Sequence, residues 1–134
     1  MMNKKICVDM SCTIIHHGHI RLLKKASKFG RVYVALTSDE EIIKHKKFEP
    51  ELKFNQRKEI LLACKYVFKV IKSKFYIDNN FMKKYKLDKL IHGTDNRNNL
   101  DKRYVLTFSR TPNISSTYMR YLSFINYKKL KVKK

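Results

Sequence analysis

Short apolar runs rich in β-branched residues alternate along this chain with segments whose apolar positions recur at helical spacing. Residues 5–8, 31–36, 67–71, 89–92 and 104–108 are predicted strands. Residues 17–28 are a predicted helix, with Ile20, Leu22, Leu23 and Ala26 on one side and Gly30 in the place of a C-cap glycine. Further helices are predicted at 39–44, 54–65 and 79–86, and a last one starts near Ser115. Ile60, Leu61, Cys64 and Phe68 form the expected buried stripe around the 54–65 helix.

Strands that alternate with helices predict a parallel sheet covered on both faces. The expected fold is therefore α/β, a single Rossmann-like domain with a parallel five-stranded sheet and helices on both faces. Such sheets bind ligands beyond the carboxyl ends of their strands, at a switch in strand order. That points to segments 9–19, 37–47, 92–97 and 109–117 before any motif is considered.

With 134 residues, 43% of them hydrophobic and 12% aromatic, the chain can bury one core and is not of the disordered class. Residues 1–125 are the expected domain and 126–134 a basic tail. There is no run of about 18 apolar residues, so stable membrane insertion is not expected, and the first apolar run is too short for a signal peptide. Cys7, Cys12 and Cys64 are an odd count without a CxxC pair, which reads as reduced thiols in a cytoplasmic protein. Charge is the outlying property: 31 Lys+Arg against 11 Asp+Glu give +20, and +15 without the five lysines of residues 128–134. Lysines scattered in this way form a solvated face. The same charge suits either a nucleic-acid-binding module or a cleft for small anions.

Four segments carry candidate chemistry, each after a predicted strand. In Ile14-Ile15-His16-His17-Gly18-His19, two imidazoles flank a glycine at a helix start. Gly18 would let a phosphate approach the backbone, the helix end favours an anion, and His16 and His19 can donate to phosphate oxygens. Metal ligation or ordinary burial of the histidines is the competing explanation. In Arg110-Thr111-Pro112-Asn113-Ile114-Ser115-Ser116-Thr117, an arginine and hydroxyls open the last helix, as a phosphate site or simply as N-caps. Lys44-His45-Lys46-Lys47 and His92-Gly93-Thr94-Asp95-Asn96 are, taken alone, a charge run and a turn.

His16-His17-Gly18-His19 resembles the HxGH motif of the nucleotidyltransferase superfamily, and residues 110–117 resemble the R-T-x-G-I-S-T-T signature of its cytidylyltransferase branch. The branch includes the glycerol-3-phosphate, choline-phosphate, ethanolamine-phosphate and phosphonate cytidylyltransferases. The resemblance runs from about Ile6 to Leu122 and implies transfer of CMP from CTP to a small phosphorylated or phosphonylated acceptor, with Mg²⁺ carried by the nucleotide. It assigns catalysis to His16, His19, Lys46 and Arg110. It assigns nucleotide binding to Ser11, Cys12, Gly18, Gly93, Asp95, Thr111, Ile114, Ser115, Ser116 and Thr117. Lys44, as a substitute for Lys46, and Arg57, from the F-E-Q-R-like Phe54-Asn55-Gln56-Arg57, are assigned to the acceptor. No dedicated protein metal site is implied, and a homodimer is expected.

The chain departs from that pattern in lacking the tryptophan common after G-D-D, since it has no Trp, and at three further positions. Thr13 stands where the family usually has aspartate, Thr94 replaces the first aspartate of G-D-D, and Asn113 replaces the signature glycine, with a side chain that still tolerates the left-handed backbone. The same chemistry with ATP, a nucleotide-binding homologue without activity, and a basic nucleic-acid-binding module are the competing classes.

Overall fold

The computed structural model describes residues 3–93 and 97–130. The strands are β1 (Lys5–Met10), β2 (Arg31–Thr37), β3 (Lys69–Ser73), β4 (Lys89–Gly93) and β5 (Val105–Phe108). The helices are α1 (His17–Ser27), α2 (Asp39–Lys46), α3 (Phe54–Leu62), α4 (Asn79–Lys84) and α5 (Ser116–Tyr127), with a 3-10 turn at Lys102–Tyr104 before β5. All strand pairs are parallel, in the order β3-β2-β1-β4-β5. The chain winds outward from β1 to β3, then returns to the other side of β1 with β4. The switch in strand order therefore falls between β1 and β4, as expected for a doubly wound sheet.

Strand alternation divides the interior into two layers. Ile6, Val8, Val32, Val34 and Leu36 pack on Leu23 and Ala26 of α1 and Leu61 of α3. Cys7, Tyr33, Ala35 and Leu90 face Met82 of α4 together with Ile77, Leu87 and Tyr104. Helices thus cover both faces, as the pattern predicted. Three expectations need correction. The third strand is β3 (Lys69–Ser73), because residue 67 still belongs to the turn after α3, where its amide donates to Cys64 O. The expected stripe is only partly internal: Leu61 is buried, whereas Ile60 and Phe68 are exposed. α3 ends three residues early, which leaves Phe68 on the surface, its ring tilted against Tyr33 and under Arg31.

Gly30 is the third. The C-cap of α1 is Lys28, in a right-handed conformation, so Gly30 does not cap the helix. It lies where β2 starts against β1: a Cβ there would sit 2.4 Å from Lys4 O, the carbonyl that accepts from Arg31 N at 2.9 Å. The glycine is needed for close approach of two backbones. Gly30→Ala is expected to lower stability by roughly 1–3 kcal/mol through this overpacking, read as a lower denaturation midpoint with an unchanged slope in urea.

Candidate active site

The carboxyl ends of the strands open into a cavity of about 580 Å³. Asp9, Met10, Ser11 and Cys12 reach it from β1, Thr37 from β2, His92 and Gly93 from β4, and Phe108–Thr111 from β5. His16, Gly18 and His19 line it from the start of α1, Lys46 from the end of α2, and Ile114–Thr117 from the start of α5. The segments the sequence singled out therefore meet in one place, although Thr94–Asn96, including Asp95, lie outside the described residues.

The H-x-G-H spacing has a local structural cause. His16 is the N-cap of α1 and His19 its third residue. The Gly18 amide donates to His16 Nδ1 at 3.1 Å, and the His16 amide donates to His19 Nδ1 at 3.2 Å. The two side chains form a reciprocal capping box in which imidazoles stand where hydroxyl and carboxamide groups usually do. Gly18 is required by that box, since a Cβ would lie 2.8 Å from His16 Cε1 and 3.2 Å from Ile114. Each Nδ1 spends its lone pair on a backbone amide, so each neutral ring carries its proton on Nε2, as a donor. The rings lie 3.9 Å apart. Protonating both would set two cations in contact and break the box.

The electrostatics agree. His16 is held below the ordinary histidine range by desolvation first, then by His17 and Arg110. His19 is pushed down to about 3 by burial, then by His16, Arg110 and Lys46. Lys46 is itself lowered by partial burial, then by Arg120 and Arg110. Helix ends and cations converge on one space that an anion would neutralise.

The hydroxyls of the last motif divide their work. Ser115 is the N-cap of α5, its Oγ accepting from Tyr118 N at 3.0 Å, and Ser116 Oγ donates to Ile14 O at 3.0 Å. Both line the cavity, but these hydroxyls also build the α5 start and tie it to the loop before α1. Asn113 adopts the left-handed conformation, with φ of 63°, that the signature glycine would take. Thr13 is buried, and its hydroxyl has no hydrogen-bond partner among the described residues.

Two substrate assignments do not fit the geometry. Arg57 is fully buried and lies outside the cavity. Its guanidinium donates to Leu52 O, Ser11 O and Thr37 O at 3.0, 2.7 and 2.9 Å and pairs with Asp39 at 2.6 Å. It holds the strand ends rather than a substrate, because all these donors are already committed to protein oxygens. Lys44 is exposed and does not line the cavity; Lys46 does. Cys12 lines the site but is buried in a left-handed backbone (φ 53°), and burial raises its thiol to about 12. It is no nucleophile at neutral pH.

Sequence reasoning missed the floor of the cavity. Asp9, at the end of β1, bonds His92 Nδ1 at 2.5 Å and accepts from Asn98 Nδ2 at 3.0 Å, bridging β1 and β4 at the switch point. Among the described residues it is the one acidic side chain on the cavity wall. Phe75 and Tyr76 form an adjoining wall with His45, whose ring stacks on Phe75 at 4.7 Å. The available signal was position: Asp9 and His92 both end strands flanking the switch.

Residues 13–122 match the cytidylyltransferase-like family. The chain belongs to that family. It is 32% identical over 124 residues to the glycerol-3-phosphate cytidylyltransferase of Staphylococcus aureus, covering 87% of this chain and 92% of that protein. It is 38% identical over 95 residues to the ethanolamine-phosphate cytidylyltransferase of Arabidopsis thaliana, covering 66% of this chain and 21% of the plant protein, so it spans about a fifth of that relative. An FAD synthase of Ferroglobus placidus is 35% identical over 51% of this chain and 44% of its own length. A lipopolysaccharide core biosynthesis protein of Thermoplasma volcanium shares the fold, with a TM-score of 0.62 at 20% identity over 97% of this chain and 92% of that one. Among the described residues no helix is long and apolar enough to cross a membrane.

The capping box has a pH signature. The folded-state pKa of His19 is depressed, so its contribution is fully present above the unfolded value of about 6.5 and is lost as pH falls from there toward about 3, while the unfolded chain takes up the proton first. Stability of the ligand-free protein is therefore expected to fall already between about pH 6.5 and 4.5, before most carboxylates titrate. His19→Gln keeps an acceptor at the box position and should flatten that decline in urea midpoints measured across the range.

Proposed function

We propose that the protein transfers CMP from CTP to a small phosphorylated or phosphonylated acceptor and releases pyrophosphate. The observation that carries this is the convergence of the His16 and His19 rings, Lys46, Arg110 and the α5 start on one cavity at the strand switch. An acceptor oxygen attacks the α-phosphorus in line as the bond to the β-phosphate oxygen breaks, and the electron pair leaves with pyrophosphate. The Nε2 protons of His16 and His19 donate to the oxygens that gain charge, while Lys46 and Arg110 neutralise the phosphates on either side. The protein contributes positioning and charge stabilisation, without a covalent intermediate. Among the described residues no group of three His, Cys, Asp or Glu side chains is placed to hold a metal. Mg²⁺ would arrive on the triphosphate, which suits a cavity wall with one carboxylate among its described residues.

The cavity floor favours an acceptor with a cationic nitrogen, of the phosphoethanolamine type. Asp9 Oδ1 meets His92 Nδ1 and Oδ2 meets Asn98 Nδ2, and a carboxylate has about four acceptor positions. It keeps capacity for an ammonium group, and the Phe75 and Tyr76 rings that line the same cavity can add cation–π attraction. A glycerol hydroxyl gains less from a carboxylate than an ammonium does.

Pyrophosphate release from Mg-CTP, with phosphoethanolamine, phosphocholine, aminoethylphosphonate and glycerol 3-phosphate as acceptors and ATP in place of CTP as control, tests both statements. Turnover is expected with CTP and an amine-bearing acceptor, and should fall about 10²–10³-fold in His16→Ala. Asp9→Asn should raise KM for the amine acceptor by about tenfold and leave any glycerol 3-phosphate reaction within about twofold. Equal turnover with ATP would remove the cytidylyl assignment. Preference for glycerol 3-phosphate, unaffected by Asp9→Asn, would remove the amine.

A further inference from the structure

Lys46 and the α5 start face the same cavity, yet they stand at the ends of different elements, with residues 47–53 running between α2 and α3. What relates them is Arg120, one turn into α5. Its Nε and Nη2 donate to the two Glu51 carboxylate oxygens at 2.8 and 2.5 Å, and its guanidinium lies 4.3 Å from the centre of the Phe48 ring. Glu51 and Phe48 belong to the 47–53 segment. Leu52, next in sequence, has its carbonyl held by Arg57, so the segment is fixed from below by the buried arginine and from above by α5.

We propose that Arg120, Glu51 and Phe48 form a positioning strap that sets Lys46 against the α5 N-terminus for the phosphates. This rests on the nucleotidyl-transfer reading of the cavity. A forked, two-bond arginine–carboxylate pair fixes orientation as well as distance, and the Phe48 ring fixes the guanidinium plane. The pair is half-exposed, and pairs of that kind contribute only about 0.2–1 kcal/mol to folding. Its consequence is placement. Arg120 stands close enough to Lys46 to depress its ammonium, and the hydrogen bonds from Arg120 hold the Glu51 carboxyl below its usual range. Without the strap, segment 47–53 loses its tie to α5 and keeps only its attachments to α2, to Arg57 and to the start of α3. Displacement of a binding group by about 1 Å can cost up to about 10²-fold in an enzyme of this kind.

Four variants test the strap: Glu51→Gln, Arg120→Gln, Arg120→Lys, and the exchange of both charges, Glu51→Arg with Arg120→Glu. The expected result is a rise of about tenfold in KM for Mg-CTP, and in its calorimetric Kd, in both glutamine variants, with kcat within about threefold. Arg120→Lys, which keeps the charge and loses the fork, should fall between these and wild type, and the exchanged pair should recover most of the loss. Kd and KM within twofold of wild type in Glu51→Gln would overturn the strap. So would an exchanged pair as weak as its singles, or losses in kcat that simply follow a lowered melting temperature. Trypsin cleavage after Lys47 and Lys53, which should be faster in Glu51→Gln, reads the strap without nucleotide. If wild type bound no CTP, the functional reading would fall, while unchanged cleavage would separately overturn the strap.

Discussion

One buried cation sets the geometry of the carboxyl edge. Arg57 is fully inaccessible and satisfies the ends of β1 and β2 through Ser11 O and Thr37 O, the first residue of α2 through Asp39, and the 47–53 segment through Leu52 O. Asp39 in turn accepts from the first amide of α3 through its second oxygen. A buried guanidinium is tolerable only when its donors are met, and removing one partner of such a pair costs about 3–5 kcal/mol. Meeting them obliges five pieces of chain to converge on one point. Ser11 begins the loop that carries the histidines, and α2 ends in Lys46, so the arginine acts on the site without touching it.

Above that anchor, folding and chemistry use the same atoms. The Nδ1 lone pairs of His16 and His19 close the first turn of α1, and in doing so they leave both Nε2 protons for a ligand. A hydroxyl and a carboxamide would cap the helix as well, but would not present two ring donors to the cavity. Burial and neighbouring positive charge keep the rings neutral, which preserves the cap. Neutral histidines are also the form that accepts from the backbone and donates outward at once. The crowding of Lys46, Arg110 and Arg120 has a similar double sense: it disfavours the unoccupied site and favours the anion that fills it.

The order of elements was legible because each strand is a short β-branched run and each helix a periodic one, and parallel pairing follows from their alternation. The positions of His16, Gly18, His19, Lys46 and Arg110 at one edge followed from that topology alone. The left-handed Asn113 was legible from residue chemistry. Arg57 was not, because a basic residue near a helix start reads the same whether it reaches a phosphate or four protein oxygens, and only burial separates the two. Phe68 and Ile60 misled for a related reason: apolar residues at helical spacing look internal, but α3 stops at Leu62, before the spacing does. Gly30 was read as a cap because glycine after a helix usually is one, whereas its need arises from Lys4, 26 residues earlier in sequence.

Asp9 shows how little charge of one sign is needed to organise a cleft of the other. In a chain of net charge +20, one carboxylate among the described residues of the cavity wall interrupts a surface otherwise set up for phosphates. It is held between His92 and Asn98, so its direction is fixed before any ligand arrives. A substrate that carries an anion at one end and a cation at the other could meet the His16–Arg110 group and Asp9 in one orientation only. Reversed, it would place its ammonium among cations and its phosphate on a carboxylate. Two fixed charges of opposite sign, on β1 and around it, therefore give orientation, and the cost of the wrong orientation gives selectivity. On the proposed reading, the residue that departs most from the composition of the chain is for that reason the one best placed to select the acceptor.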